Sequence, residues 1–467
     1  MEKQSLQPYF DSIASERTNW RRRNRTYHKL LGKYFSFIVP ENFRVLEIGC
    51  GTGELLASLK PSRGVGVDFS SKVIEIAKLK YPGLDFIVQD AEKLEINETF
   101  DYIILSDLVG SLWDVQAVFN NLQSVCHEKT RVIISYYNYL WEPIMRFGEF
   151  LMLKCKQPLQ NWLSSKDIIT ILSITGFETV RTEKKILLPK YLPIFSWIFN
   201  SCIANLPLLR YFSLTNFIIA RPITDKTTDY SVSIIVPARN EKGNIENAII
   251  QTPAFGIKQE FIYVEGNSSD GTYDEMLHIK EKYPLKNIKI IKQSGKGKGN
   301  AVREGFEIAS GDILFILDAD LTTPPEDLPK FYEALRKNKG DFINGCRLVY
   351  PMEKQAMRFL NLIANKSFGS IFSFLLGQRL KDTLCGTKVL FKKDYEIIKS
   401  NRKYFGDFDP FGDFDLLFGA AKLNLKIVEV NVRYKDRKYG TTQISRFRHG
   451  LLLIRMTLVA ARKLKFF

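Results

Sequence analysis

Cysteine and histidine are scarce in this chain. Its 467 residues include six cysteines and four histidines. Cys50, Cys126, Cys155, Cys202, Cys346 and Cys385 fall into no C-x-x-C or Cys/His metal spacing, so neither a zinc module nor a disulfide framework is encoded, and small buried apolar residues in a reducing compartment are expected. The opening MEKQSLQPYFDSIASER lacks the charged and apolar regions of a secretory signal, so a cytosolic location is expected. Long apolar runs are missing too. Tyr191 to Leu209 carries no charge, but Pro193, Asn200, Asn205 and Pro207 dilute it, and the terminal HGLLLIRMTLVAARKLKFF is interrupted by Arg455 after four apolar residues. No RNA- or DNA-binding motif accompanies the formal net charge of +16, so nucleic acid is not an expected partner. Anionic membrane surfaces and anionic substrates are.

What is present is core-forming material. A hydrophobic content of 45% with 13% aromatics excludes a mainly disordered chain, and the length implies two or three domains of about 100–200 residues. The composition turns polar at ITDKTTDYS, which places a boundary near residue 225.

The organising stretch is SGDILFILDADLTTPPEDLPKFYEAL. Ile313 to Leu317 reads as a buried strand that delivers Asp318 and Asp320, with Ala319 between them, to its carboxyl end. Thr322 to Pro325 then stop the sheet and open a helix. An isolated D-x-D can simply terminate a strand. It can also share a hard divalent cation, Mg2+ or Mn2+, with phosphate oxygens and water. Three neighbouring strand ends support the second reading. Val232 to Val236 runs into Pro237, Ala238, Arg239, Asn240 and Glu241. EFIYVEGNSSDGT ends in Glu265 and a turn holding Asp270. Ile288 to Lys292 leads into QSGKGKGNAVREGFEIA, where Lys296, Lys298 and Arg303 stand among glycines at a helix start, an arrangement suited to phosphate.

The ordered set V-P-A-R-N-E, S-S-D-G-T, G-K-G-x-A and D-A-D resembles the family 2 glycosyltransferases of GT-A fold over about residues 230 to 450, and within them the polyprenyl-phosphate sugar synthases of the dolichyl-phosphate mannose synthase kind. The resemblance implies an inverting, metal-dependent transfer from a nucleotide-sugar donor to a lipid phosphate or glycan acceptor. Asp318 and Asp320 would hold the metal, and Pro237, Ala238, Arg239, Glu241, Glu265, Asp270, Lys298, Asp318, Ala319, Asp320, Arg437 and Arg446 would bind the donor. Glu265 and Gly266 stand where the family usually has two aspartates, which leaves the base of the nucleotide open. Asp413, in FGDFDPFGDFD ahead of a helix, is either an N-cap or a base that orients the acceptor. The loop RYKDRKYGTTQISRFRHG, with Arg433, Arg437, Ser445, Arg446 and Arg448, would fold over the diphosphate.

The first half begins with one or two helices around Arg21, Arg22, Arg23 and Arg25, a solvated or lipid-facing run. RVLEIGCGTG then ends a strand in Glu47 and places Gly49, Gly51 and Gly53 before a helix. Further strands end in Asp68, in Asp90 and Ala91, and in Ser106 and Asp107. The order resembles the class I S-adenosylmethionine (SAM)-dependent methyltransferases over about residues 25 to 222. That resemblance implies a glycine loop cradling the methionine end, Asp68 on the ribose, Asp90 at the adenine amino group, and Asp107 where acceptors are handled. His28 and His127 read as ordinary histidines. A strand from Glu178 to Leu188 and one from Thr215 to Pro222 would close this sheet around an apolar insertion near 189–213, which is either an interfacial hairpin or a hydrophobic cap.

The expected architecture is therefore α/β in two domains: a Rossmann-like methyltransferase over 1–225 and a GT-A glycosyltransferase over 226–467 with a basic C-terminal helix. The expected protein is bifunctional and peripheral on the inner face of the cell membrane. The alternative is a glycosyltransferase whose first half is a non-catalytic docking module.

Overall fold

The computed structural model describes residues 6–153, 155, 159–224, 227–350, 359–404, 412–440 and 446–466. The chain divides into two compact units, residues 1–224 and 225–465.

Seven strands build the first sheet: β1 (Arg44–Ile48), β2 (Arg63–Asp68), β3 (Asp85–Val88), β4 (Phe100–Ser106), β5 (Cys126–Tyr137), β6 (Phe177–Lys185) and β7 (Thr215–Pro222). Their order is β3-β2-β1-β4-β5-β7-β6, parallel except for β7, which runs against both β5 and β6. The central strands are apolar on both faces, as a sheet covered by helices on each side requires. Val45, Leu46, Ile48, Ile103, Ile104 and Leu105 are fully buried. The order reverses between β1 and β4, which opens a crevice at their carboxyl ends.

Three helices precede β1, at Leu6–Ser12, Ala14–Arg23 and Arg25–Ile38. The third is strongly amphipathic and buries Tyr27, Leu31, Tyr34, Phe35 and Ile38. The insertion between β6 and β7 is no hairpin. It forms a run of helical turns of mixed pitch at Phe195–Trp197, Ile198–Cys202 and Ile203–Asn205 and a further turn at Leu209–Phe212, with Pro193 and Pro207 standing outside the first run, where neither breaks it. Asn200 satisfies the ends of the loop, accepting the Leu187 and Leu188 N–H groups at 2.8 and 2.9 Å.

The second unit repeats the logic with β8 (Val232–Ala238), β9 (Gln259–Glu265), β10 (Asn287–Lys292), β11 (Ile313–Ile316), β12 (Phe342–Cys346), β13 (Lys388–Phe391) and β14 (Ile427–Asn431). The order is β10-β9-β8-β11-β13-β12-β14, with β13 antiparallel to β11 and β12. Here the order reverses between β8 and β11. Among the described residues no helix is long and apolar enough to cross a membrane.

Two candidate active sites

In the first unit β1 ends in a turn where Gly49, Gly51 and Gly53 all take positive φ, at 72°, 54° and 81°. Side chains are strained there, and glycine is not. The turn and the ends of β2 and β4 border a cavity of 1180 Å³, lined among others by Glu47, Gly49, Gly51, Asp68, Asp90, Ala91, Ser106 and Asp107. Gly53 lies outside this lining. A Cβ there would meet Phe86 at 2.7 Å, so its bareness serves packing under the helix Glu54–Ser58.

The acids are held by backbone donors. Asp68 accepts the Gly51 N–H at 3.0 Å on one oxygen and the Ser70 N–H at 3.1 Å on the other. Asp90 accepts the Glu92 N–H at 3.0 Å. Glu47 accepts the Leu56 N–H at 3.0 Å, yet burial pushes its carboxyl up to about 8.

Arg17 and Arg21 on the second helix, Asn24 at the junction and His28 on the third helix all line the cavity. The Arg17 guanidinium stands 4.0 Å from Asp68, and Arg21 stands 3.6 Å from Glu54. Burial pushes the His28 imidazole down to about 4, so it is neutral at physiological pH. Tyr27, from the same stretch, donates its O–H to Asp107 at 2.6 Å, and Ser135 donates to the other Asp107 oxygen at 3.0 Å. Sequence reasoning left these helices as a cap and missed their part in the site; the signal was the i, i+4, i+7 recurrence of Arg17, Arg21 and Asn24.

In the second unit the four strand ends come together as a charge lattice. Lys298, on the helix Lys298–Ile308, lies 2.5 Å from Asp318 and 4.0 Å from Asp413. Burial works against its charge, but Asp318 and Asp413 outweigh it and hold the ammonium above its ordinary range. Asp318 is held below its own despite burial, chiefly by Lys298. Asp320 accepts the Thr322 N–H and hydroxyl at 3.1 and 2.8 Å on one oxygen. Its other oxygen takes Arg437 at 2.6 Å. The same guanidinium donates to Glu241 at 2.7 Å, whose second oxygen accepts from Asn244 at 2.7 Å.

Asp270 accepts the Lys242 and Thr272 N–H groups and the Tyr439 hydroxyl, at 3.2, 3.0 and 3.2 Å. Glu265 accepts the Ser268 N–H at 2.5 Å. Pro237 and Ala238 lie at the end of β8, and Arg239, just beyond, is exposed; Ala319 is buried. Ser445 and the side chains of Arg446 and Arg448 lie outside the described residues, as does the 405–411 run.

Asp413 precedes the helix Phe414–Lys422 but makes no side-chain cap bond to it. It faces the buried Lys388 at 3.3 Å. Lys388 was not expected at the site. Nor was the Arg347–Asp382 pair, with contacts of 2.7 and 2.8 Å and Asn365 donating to the same carboxylate at 2.9 Å. Burial opposes the Asp382 charge, and Arg347 overrides it and lowers the carboxyl to about 2.

Comparison with known proteins gives the two units their families. Residues 19–182 match the model of a methyltransferase domain, and residues 233–397 match glycosyl transferase family 2. The chain carries a methyltransferase domain followed by a family 2 glycosyltransferase domain. The glycosyltransferase unit is 33% identical over 218 residues to a dolichol-phosphate mannosyltransferase of Pyrococcus furiosus, a match covering 46% of this chain and 59% of that protein. It is 27% identical over 224 residues to a dolichyl-phosphate beta-glucosyltransferase of Dictyostelium discoideum, covering 44% and 66%. The chain thus spans less than two thirds of these relatives. A SAM-dependent methyltransferase structure from Thermotoga maritima aligns at 16% identity with a TM-score of 0.38, over 46% of this chain and 99% of that one.

Proposed function

We propose that the chain is bifunctional: a polyprenyl-phosphate glycosyltransferase joined to a SAM-dependent methyltransferase, acting peripherally on the inner face of the cell membrane. The observation that carries the first activity is the convergence of Asp318 and Asp320 with Lys298 and Arg437 at the β8/β11 switch point. Opposed acids and bases on one crevice suit a donor that brings both a diphosphate and a cation.

The donor set fits a hard divalent ion. Asp318 and Asp320 offer carboxylate oxygens one residue apart. Among the described residues no group of three or more His, Cys, Asp and Glu could hold an ion, so phosphate and water would complete the shell. Such an ion neutralises charge on a leaving diphosphate. Lys298 and Arg437 would bind the phosphates, and Arg437 would exchange its carboxylate partners for phosphate oxygens as the donor enters. An acceptor phosphate oxygen would attack the anomeric carbon in line while the bond to the diphosphate breaks, which inverts the centre. A phosphate with a second pKa of about 6 is already ionised at neutral pH and needs no base. A hydroxyl acceptor would need one, and Asp413 is then the candidate.

In the first unit, Glu47, Gly49, Gly51, Asp68, Asp90, Ala91 and Ser106 would hold SAM, with Gly53 shaping the turn. The fit rests on the left-handed glycine cradle and on the volume. At 1180 Å³ the cavity exceeds the roughly 300–1,000 Å³ of common ligand pockets, so a cofactor and part of an acceptor can share it. SAM supplies a methyl group activated on a sulfonium.

Membrane attachment is supported by the terminal helix Arg446–Ala460. It exposes Leu451, Ile454 and Leu458 on one face and buries Leu453, Met456 and Ala460 on the other. The test is a labelled panel of nucleotide sugars offered with and without polyprenyl phosphate. Label should move into the lipid with one donor class, and a panel that labels neither lipid nor glycan would end this reading.

A further inference from the structure

The helix Glu142–Phe150 follows β5 in the methyltransferase unit and buries none of its residues. Phe147, Phe150 and Met152 are 60, 80 and 77% exposed, and in the insertion Ile194, Trp197 and Leu208 are 77, 66 and 80% exposed. These two segments lie side by side. Trp141 donates its indole N–H to the Phe212 carbonyl at 2.7 Å. Asn138 donates to the Tyr211 and Ser213 carbonyls, each at 2.9 Å. Tied together at Asn138 and Trp141, the two segments concentrate exposed apolar residues in one part of the unit, beyond the scattered apolar residues of an ordinary surface.

The face adjoins the cavity. Tyr137, next to Asn138, lines it, as does Cys155, just past the helical segment. Lys190, at the start of the insertion, donates to cavity-lining Asn24 at 2.8 Å. The rim is basic. Residues 189–213 contain Lys190 and Arg210 and no acid, and the helix ending just before Asn24 closes on Arg21, Arg22 and Arg23. Glu142 is paired with Arg146 at 2.5 Å. Glu149 is the one further acid of the helix, and it turns towards Tyr137 at the cavity. Apolar residues with Lys190, Arg210 and the Arg21–Arg23 run beside them, in a unit whose described residues include no spanning helix, match the interfacial zone of an anionic bilayer.

We propose that the methyl acceptor is a membrane-resident amphiphile whose headgroup enters the cavity from this face while its chain stays in the bilayer. The inference rests on the methyltransferase reading above and names its substrate class. An acceptor hydroxyl oxygen would take the methyl carbon as the carbon–sulfur bond breaks and the sulfur keeps the electron pair, leaving S-adenosylhomocysteine. The hydroxyl proton would pass to the Asp107 carboxylate, which lines the same cavity.

The experiment uses the full chain, SAM labelled in its methyl group, and two acceptor preparations from the source cells: total lipid in vesicles of phosphatidylcholine and phosphatidylglycerol at 3:1, and the water-soluble extract. Label should enter the organic phase only. The double variant Phe150→Asp/Trp197→Asp should raise the apparent KM for vesicle lipid about tenfold or more and weaken flotation with those vesicles, while its SAM affinity, read by calorimetry, stays at the wild-type value. Label in the water-soluble product, bound SAM with no labelled lipid, or a double variant with wild-type KM would each overturn the inference. Failure of the wild-type chain to bind SAM at all would instead remove the methyltransferase reading beneath it.

Discussion

The two sites occupy equivalent places in two alternately wound sheets, yet they treat their carboxylates in opposite ways. In the methyltransferase unit Asp68, Asp90 and Glu47 accept backbone N–H groups, with Arg17 standing off at 4.0 Å from Asp68, and a cavity of 1180 Å³ stands beside them. In the glycosyltransferase unit Asp318, Asp320 and Glu241 are matched by the side-chain cations Lys298 and Arg437. Backbone donors are fixed by the fold and need not move when a ligand arrives. Side-chain ion pairs must be exchanged. On the proposed reading the first site would need little rearrangement to take its ligand, and the second would exchange its ion pairs as a metal-bound diphosphate entered.

The largest effect that would break this contrast comes from Asp320→Asn. Sugar transfer and donor hydrolysis should fall by at least about 10³-fold, while SAM binding in the same protein persists. Full transfer in a chelated, metal-free assay would refute the role given to the acid pair. Next comes Gly51→Val, which forces a branched side chain into a backbone with φ of 54°. Calorimetry should show SAM affinity reduced about 100-fold, some 3 kcal/mol, with glycosyl transfer intact. Unchanged affinity would make the glycine loop a structural turn only.

A smaller effect concerns stability in the second unit. Asp382→Asn leaves the buried Arg347 uncompensated and should cost about 3–5 kcal/mol in denaturant unfolding of that unit. A cost under 1 kcal/mol would show that the pair is dispensable.

A last effect is the pH dependence of the first unit, which holds all five tryptophans, so their fluorescence reports on it. The Glu47 carboxyl is raised from 4.5 to about 8 by burial. The folded state therefore binds this proton more tightly than the unfolded chain, and the associated stability is complete below about pH 4.5 and is lost as pH rises to 8. The melting temperature followed by fluorescence should fall steadily across that window, and Glu47→Gln should flatten the slope. An equal slope in the variant would assign the titration to another group.

The contrast also marks what could be read from the sequence. Glu47, Asp68, Asp90, Asp318 and Asp320 were legible because each ends an apolar run, and the carboxyl end of a buried strand in such sheets is where ligands sit. Strand β5 was missed because its first half, CHEKTR, is polar and conceals Arg131, which the fold buries at 2% exposure. The cavity-facing Arg21 reads in sequence as part of a solvated or lipid-facing run and His28 as an ordinary histidine, since periodicity assigns residues to a face without saying what that face meets. Asp413 stays open between a helix cap and a base in the sequence because local sequence cannot reveal Lys388, 25 positions earlier, at 3.3 Å. The exposed helix Glu142–Phe150 was missed for the converse reason: its apolar stripe resembles a core-facing one, and only the fold leaves it uncovered.

The most direct test of the account is calorimetric titration of one wild-type preparation with SAM and, separately, with a panel of nucleoside diphosphates plus Mn2+. The account predicts one SAM and one nucleoside diphosphate per chain, with chelation abolishing the second and sparing the first. A chain that binds no SAM, or that binds its nucleoside diphosphate equally well without metal, would contradict it.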